Sequence, residues 1–280
     1  IFDSKMYLYK CTSGIYVKQG SSYYPIDSSD SWDVLVNRDD LYSYLNHLIK
    51  PLVGQSSLTG KVLAPIGSQE VWAAGVTYFS SRLARMEESE DSGGGDFYSR
   101  VYQAVRPEIF FKATPARVVG HGQPFRIRKD SEWDVPEPEL TLFATSSGKI
   151  VGYTIGNDVS SRSIEGENPL YLPQAKTFDQ CACLGPGLYV PEEPLSMEST
   201  VAIQIERAGK VVFRGETSLS EMKRTPGELI EFLFRETSFE HGVFLMTGTG
   251  IVPGSDFTLQ SEDIVSITID LIGTLVNSVR

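Results

Sequence analysis

Hydrophobic and polar residues alternate along several short stretches of this chain, which is the pattern of half-buried β-strands. Near the start, the alternating runs at 6–9 and 14–17 are separated by small polar residues. Farther on, 199–206 and 210–214 flank an Ala-Gly pair, which predicts a hairpin. The stretch 263–276 returns to the strand pattern. The chain is therefore predicted to consist mainly of β-strands.

A few segments have the helical period instead. Residues 39–49 place apolar side chains at helical spacing after an acidic residue that suits a helix start. Thr225 and Glu228 have the spacing of a capping box and predict a second helix. In 79–104 the pattern predicts two helices around a glycine-rich break at 91–96, a candidate mobile lid. A surface excursion without a role in closure is the alternative.

The balance of these elements predicts an α+β fold dominated by β-structure. A chain of 280 residues is long enough for a small domain and a larger one. The first part is rich in Ser, Tyr and Asp, and it contains no residues that suggest catalysis. We therefore predict a small N-terminal α+β domain at 1–62 and a C-terminal catalytic domain at 63–280.

Charge and composition exclude several classes of function. The formal net charge of −11 argues against a nucleic-acid partner, which requires a basic surface. No apolar run of membrane-spanning length and no signal-peptide pattern is evident, so we predict neither a membrane span nor export. Cys11, Cys181 and Cys183 are too few for a disulfide framework and suit a reducing cytoplasm. We expect these thiols to be core residues, not metal ligands.

Three carboxylates are the strongest candidates for chemistry. Glu137 and Glu139 are two apart in a proline-flanked segment, and residues two apart on a strand point to the same side. The stretch from Leu140 to Ile155 predicts strand, tight turn and strand, which returns Asp158 to the first two. Oxygen ligands favour Mg, Ca or Mn, and we predict Mg with the others as alternatives. An isolated acidic pair would otherwise indicate a solvated edge strand.

Further motifs follow in a fixed order along the chain. They are Gly152-Tyr153, Asn157-Asp158-Val159-Ser160 with Arg162, Lys176-x-Phe178-Asp179, Gly185-Pro186 and Leu245-Met246-Thr247-Gly248-Thr249. In this order they resemble the fumarylacetoacetate hydrolase superfamily over about residues 65–280. The resemblance implies a mixed β-sandwich roll, a metal-dependent enzyme acting on a small 2-oxo acid, and a homodimer or homotetramer.

A closer similarity is carried by 104–115, 120–122 and 167–176. These segments resemble the 2-keto-3-deoxy-D-arabinonate dehydratase branch of that superfamily. The branch implies loss of water from a 2-keto-3-deoxy sugar acid to give 2,5-dioxopentanoate. We expect Mg held by the acidic trio to chelate the substrate carboxylate and 2-oxo group. The chelate would stabilise the enolate that forms when the C3 proton leaves.

The acid–base pair that this branch implies is Glu108 and Lys176. Glu108 precedes an apolar run, where burial would favour its protonated form, and a metal near Lys176 would favour the neutral amine. Without the resemblance, the simpler interpretations are a salt bridge of Glu108 with Arg106 or Lys112 and an exposed loop position for Lys176. The sequence does not decide which of the two is the acid.

Four residues are predicted to contact the substrate: Thr249, Glu165, Phe111 and Lys112. The resemblance implies that Thr249 donates to the substrate carboxylate, whereas turn stabilisation is the alternative role. Glu165 stands where the superfamily usually has a glutamine, and a carboxylate there suits recognition of a hydroxyl group. His121 lies between two glycines, and we assign it no catalytic role.

Two other functions compete with dehydration. The first is an acylpyruvate hydrolase or 2-oxo acid decarboxylase of the same superfamily, which would use the same chelate for carbon–carbon cleavage. The second is a binding domain whose acidic trio holds Ca to stabilise the fold, with no role for Glu108 or Lys176. The carboxylate at Glu165 and the lack of a hydrolytic histidine–glutamate pair favour dehydration.

Overall fold

In the computed structural model of the protein, the described residues are 5–26, 30–88 and 95–280. The predicted glycine-rich break at 91–96 lies largely outside them, so the candidate lid stays a prediction. None of the described helices is long and apolar enough to cross a membrane.

Strands make up most of the regular structure. They are β1 (Met6–Cys11), β2 (Gly14–Gln19), β3 (Ser22–Ile26), β4 (Glu70–Gly75), β5 (Glu108–Ala113), β6 (Val118–Val119), β7 (Asp134–Val135), β8 (Pro138–Ala144), β9 (Ile150–Asp158), β10 (Ser160–Ser161), β11 (Ala182–Tyr189), β12 (Thr200–Arg207), β13 (Lys210–Ser218), β14 (Val243–Met246), β15 (Ile264–Ile269) and β16 (Gly273–Ser278).

The helices are shorter and lie between the strands. They are α1 (Trp32–Val36), α2 (Leu41–Ile49), α3 (Phe79–Glu88), α4 (Gly95–Gln103), α5 (Arg162–Glu167), α6 (Leu172–Lys176) and α7 (Pro226–Phe234). Short 3₁₀ turns occur at Pro115–Arg117, Pro169–Tyr171 and Leu219–Glu221. The predicted β-dominated α+β fold is confirmed.

The strands form one large sheet and two smaller ones. The large sheet has the order β3-β2-β1-β11-β9-β8-β14-β4-β5, and β6 also pairs with β11. The smaller sheets are β13-β12-β15-β16 and the pair β10-β7. The β14–β4 and β11–β6 pairs are parallel, whereas the β8–β9 and β12–β13 pairs are antiparallel. Both predicted hairpins, β8–β9 and β12–β13, are therefore present.

Two apolar cores lie on opposite faces of the large sheet. Leu142 and Ile155 share one core with Ile203 and Ile267 of the four-stranded sheet. Phe143, Leu184 and Met246 share the other with Leu35 and Leu45 of the N-terminal helices. Because the central strands are buried on both faces, the carboxylates at the β8 and β9 ends are held in a rigid framework.

Local signals explain where some of these helices begin. Thr225 is the N-cap of α7, and its side chain accepts a hydrogen bond from Glu228 N at 3.2 Å, as the capping spacing predicted. Asp40 stands at the N-cap of α2 but makes no side-chain hydrogen bond there.

The N-terminal strands extend the large sheet. Tyr7 and Leu8 of β1 lie opposite Tyr189 and Leu188 of β11 in an antiparallel pair. The side chains of Leu8 and Leu188 belong to the same apolar core. The division into domains at 1–62 and 63–280 stays a prediction, and backbone hydrogen bonds of the sheet cross it.

Candidate active site

The three predicted metal ligands, Glu137, Glu139 and Asp158, lie together in the structure. One carboxylate oxygen from each lies within 4.8 Å of the others, and all three side chains are buried. The β8–β9 hairpin explains this grouping, because Glu139 lies opposite Gly156 and Asp158 N donates to Glu137 O at 3.0 Å. The arrangement is the one that the alternation along the two strands predicted.

The turn after β14 orients the Glu139 carboxylate. Gly248 N donates to Glu139 Oε2 at 2.6 Å. Gly248 has a φ of +89°, and a Cβ there would lie 2.0 Å from Thr77 Oγ1. Only glycine suits both constraints. Thr77 Oγ1 also donates to Thr247 O at 2.7 Å, so the backbone of this turn is fixed on two sides.

The carboxylates repel one another in a buried site. Burial raises the pKa of Glu139 well above its ordinary value, and the charges of Asp158 and Glu137 raise it further. Lys176 and the hydrogen bond from Gly248 N act in the opposite direction. A divalent cation among these oxygens would remove the repulsion. A donor set of carboxylates, without thiolate or imidazole, fits Mg²⁺.

Lys176, a predicted catalytic residue, points into this cluster from the end of α6. Its Nζ donates to Glu137 Oε2 at 2.7 Å, to Asp158 Oδ2 at 3.2 Å and to Ser160 Oγ at 2.6 Å. The residue is 0% exposed, so the alternative of an exposed loop lysine is excluded. The catalytic role itself stays a prediction.

Arg162 and Glu165 lie on one side of α5 and complete the buried charge network. Arg162 Nη2 donates to Glu137 Oε1 at 2.8 Å. The Glu165 carboxylate lies 3.6 Å from Arg162 Nε and 3.5 Å from Lys176 Nζ. Glu165 therefore lies beside Lys176, and its contact with substrate stays a prediction. We assigned no role to Arg162 from the sequence, although its place four residues after Asp158 was a usable signal.

Lys112 lies beside Asp158 and is fully buried. Its Nζ is 2.5 Å from Asp158 Oδ1. It also donates to Val159 O at 2.9 Å and to Lys176 O at 2.5 Å. The ammonium group that we expected to contact the substrate is thus directed at acceptors of the protein itself.

Glu108 opens β5 opposite Gly75 of β4. A Cβ on Gly75 would come within 2.0 Å of Glu108 Oε2, so the carboxyl group occupies the space of the missing side chain. Phe110 lies two residues farther on, and its ring centroid is 5.7 Å from Lys176 Nζ. Because residues two apart share a strand face, Glu108 lies on the Lys176 side of β5.

Two residues predicted to contact the substrate, Phe111 and Thr249, contact other residues of the protein. Phe111 packs edge-on against Trp72 with ring centroids 5.8 Å apart, so Phe110 and not Phe111 faces the candidate catalytic lysine. Thr249 Oγ1 exchanges hydrogen bonds with the backbone N and O of Ile251, each at 3.2 Å. This is the geometry of turn stabilisation. Donation from Thr249 to a substrate carboxylate stays a prediction.

His121 and the three cysteines have environments that fit a structural role. His121 Nδ1 accepts a hydrogen bond from Val276 N at 3.2 Å, and burial lowers the pKa of the imidazole. Cys11, Cys181 and Cys183 are free and buried, as expected for core thiols.

Comparison with known proteins identifies the family of this chain. A profile described as "Fumarylacetoacetate (FAA) hydrolase C-terminal" matches residues 83–280. The chain belongs to this family. It is 51% identical over 218 residues to the probable 2-keto-3-deoxyxylonate dehydratase of Haloferax volcanii, covering 77% of this chain and 73% of that protein. It is 47% identical over 227 residues to the 2-dehydro-3-deoxy-D-arabinonate dehydratase of Saccharolobus solfataricus, covering 79% of this chain and 74% of that protein.

A solved structure shows the same architecture. It is described as 2-keto-3-deoxy-D-arabinonate dehydratase complexed with magnesium and 2,5-dioxopentanoate, and it superimposes with a TM-score of 0.80 at 36% identity. The match covers 99% of this chain and 98% of the other. The predicted family and its fold are therefore confirmed.

Proposed function

We propose that the protein is a Mg²⁺-dependent dehydratase that removes water from a 2-keto-3-deoxy sugar acid. The substrate is 2-keto-3-deoxy-D-arabinonate or a close epimer, and the product is 2,5-dioxopentanoate. The observation that carries this proposal is the buried trio Glu137, Glu139 and Asp158 with the Lys176 ammonium against it. The two relatives named as dehydratases and the neighbour with magnesium and 2,5-dioxopentanoate support the same reaction.

The charges of the site suit a divalent ion together with an anionic substrate. Among the described residues of the site, Glu165 adds a fourth buried carboxylate to the trio, whereas Lys112, Arg162 and Lys176 are buried cations. Glu108, as the proposed base, adds a further negative charge. A divalent ion would offset this excess of negative charge and so reduce the repulsion that a substrate carboxylate meets, which matters because the chain as a whole carries −11 and repels anions.

The chain's own residues prepare the site for this chemistry. Glu137, Glu139 and Asp158 would hold Mg²⁺, which when bound supplies a Lewis acid that acidifies C3 next to the 2-oxo group. Gly248 N holds one oxygen of Glu139, and Arg162 holds one oxygen of Glu137. The ligand carboxylates are thus oriented by hydrogen bonds before they are needed.

In this proposal Glu108 and Lys176 divide the two proton transfers of the water loss, and the resulting 3-ene with a C5 hydroxyl then tautomerises to the 5-aldehyde of 2,5-dioxopentanoate. Lys176 Nζ donates hydrogen bonds to Glu137 and Asp158, which supports its assignment as the donor of a proton to the departing C4 hydroxyl. Glu108 is assigned the earlier removal of the C3 proton. Its position on the Lys176 side of β5, next to Phe110, supports a place in the same cavity.

A product assay in deuterated water tests the proposed function. Mg-loaded protein is incubated with 2-keto-3-deoxy-D-arabinonate, with its pentonate and hexonate epimers, and with acetylpyruvate, and products are followed by NMR. We expect 2,5-dioxopentanoate with deuterium at the former C3. Formation of pyruvate and acetate from acetylpyruvate alone would instead establish a hydrolase.

We further infer that the protein works in the cytoplasm as a homodimer or homotetramer. The three free, buried thiols support a reducing compartment, and the family resemblance supports the assembly. Light scattering after gel filtration measures the assembly. A monomer at catalytic concentration would contradict it.

A further inference from the structure

A β-bulge in β5 lies at Lys112. In the β4–β5 pair, Val71 lies opposite Ala113, and the next residue, Trp72, lies opposite Phe111. One step along β4 therefore corresponds to two steps along β5, and Lys112 is the extra residue. Bulges are common next to active sites, and Lys112, two residues after Phe110, lies on the same strand face as Glu108 and Phe110.

The Lys112 ammonium is surrounded by oxygen atoms of the protein. An ammonium group has three donors and no acceptor. Three oxygens surround this one: Asp158 Oδ1 at 2.5 Å, Val159 O at 2.9 Å and Lys176 O at 2.5 Å. The side chain is 0% exposed, and its Nζ lies 5.6 Å from the centroid of the Phe178 ring. The ammonium group is therefore directed at the protein and not at a substrate.

Lys112 forms an ion pair with Asp158, which is a candidate metal ligand. The oxygen in this ion pair, Asp158 Oδ1, is buried and accepts no hydrogen bond from the described part of the chain. The other oxygen, Oδ2, accepts from Lys176. The two lysines therefore set the plane of this carboxylate from both sides.

Lys112 also contacts the end of α6. Lys176 is the last residue of this helix, and the carbonyl groups of a final helical turn lack partners within the helix. Lys112 Nζ supplies one of them a donor. In return, Thr177 Oγ1 donates to Lys112 O at 3.0 Å. The backbone at Lys176, the candidate proton donor, is thus held by hydrogen bonds to Lys112 in the β5 bulge.

We propose that Lys112 is a positioning residue that orients Asp158 for Mg²⁺ and fixes the end of α6 that carries Lys176. This role replaces the substrate contact expected from the sequence. It rests on the proposed function, because it assumes that the acidic trio holds Mg²⁺.

A purely electrostatic role and a positioning role of Lys112 predict opposite changes in Mg²⁺ affinity. If Lys112 acted only as a nearby positive charge, its removal would tighten Mg²⁺ binding, because like charges repel. If it orients Asp158, its removal weakens binding, and loss of such indirect ligand contacts commonly costs about 10- to 100-fold. The sign of the change therefore separates the two roles.

The experiment compares wild type with Lys112→Met. Isothermal titration with MgCl₂ measures the Kd of the metal, and steady-state assays at saturating Mg²⁺ measure kcat and KM. We expect Mg²⁺ binding to weaken about 10-fold or more. Because the end of α6 is also released, we expect kcat to fall while KM changes less than about threefold. The matched control is Lys10→Met, which removes another lysine that donates to a backbone carbonyl, Ile66 O, outside the site.

Unchanged or tighter Mg²⁺ binding by Lys112→Met would overturn the proposal. A rise in KM without a change in kcat would also overturn it, because it would indicate that Lys112 contacts the substrate. If Lys112→Met does not fold, Lys112→Arg is measured instead. It keeps the charge, but its planar guanidinium does not fit the same three acceptors, so weaker Mg²⁺ binding is again expected. Unchanged affinity would then overturn the proposal. Failure of the wild type to bind Mg²⁺ would contradict the proposed function instead.

Discussion

Lys176 Nζ lies 2.7 Å from Glu137 Oε2, so the candidate proton donor is hydrogen-bonded to a candidate metal ligand. Occupancy of the metal site and the position of the ammonium are therefore coupled. Variants at either position need metal binding and turnover measured separately, because a loss of activity alone does not show which was lost.

Replacing Glu139 by glutamine is expected to have opposite effects on metal affinity and stability. Loss of a ligand charge should weaken Mg²⁺ binding by about 100-fold or more, since even indirect ligand contacts contribute about 10- to 100-fold. The metal-free protein should become more stable, because repulsion from Asp158 and Glu137 is relieved. Calorimetric titration and urea unfolding in EDTA measure the two effects.

Glu70→Gln is the control for this prediction, because Glu70 is an exposed carboxylate at the start of β4. Full activity and unchanged metal content in Glu139→Gln would remove Glu139 from the site.

Glu108→Gln and Lys176→Met are expected to separate the two proton transfers. Without the Glu108 carboxylate, both C3 deuterium exchange and product formation should fall by about 100-fold or more. Lys176→Met should still exchange the C3 proton but form 2,5-dioxopentanoate slowly, because the departing hydroxyl lacks its donor. NMR in deuterated water follows both signals. The reverse pattern would exchange the two roles, and near-normal turnover in both variants would contradict the pair.

Gly75→Ala should disturb Glu108 without touching the metal ligands. The new Cβ would lie 2.0 Å from Glu108 Oε2, so this flexible carboxyl group must move. A displacement of about 1 Å commonly costs about 100-fold in rate, and we expect a fall in kcat with unchanged Mg²⁺ affinity. Gly227→Ala is the matched control, since its Cβ would meet no atom within 4 Å. Equal kcat in the two variants would place Glu108 outside the reaction.

Asp134 should make stability depend on pH. Burial raises its pKa to about 6, above the ordinary value of 3.8. The folded state therefore binds this proton more tightly than the unfolded chain. The resulting stabilisation is complete below the unfolded pKa and is lost as the pH rises through about 6. At 1.36 kcal/mol per pKa unit, the loss amounts to about 3 kcal/mol.

Asp134→Asn removes this titration while keeping the size of the side chain. Urea unfolding at pH about 5 and about 7.5 should show the wild type losing more stability than the variant over this interval. Parallel changes in wild type and variant would contradict the raised pKa.

The acidic trio was predictable from the sequence because its causes are local. Alternation along β8 and β9 and the tight turn between them are enough to bring Asp158 back to Glu137. Contacts between distant segments were not predictable in this way. Gly248 reaches Glu139 from the turn after β14, and no local pattern links the two.

Some strands and side-chain directions were not predictable, because they lack a regular alternation of apolar and polar residues. β11 and β14 are buried on both faces and lack the alternation that marks a half-buried strand. The bulge at Lys112 is revealed only by the register against β4. The sequence also did not show that Phe110, and not Phe111, faces Lys176, because 109–111 is a continuous apolar run without alternation.

The pairing of Glu139 with Gly156 across β8 and β9 has a consequence for folding. Sliding one strand past the other by a single residue would turn the Glu139 side chain to the opposite face of the sheet. The misaligned hairpin would then offer an ion only part of its ligand set. Because Mg²⁺ would bind the correctly aligned chain in preference, its concentration during refolding should bias the population toward the native alignment of the two strands.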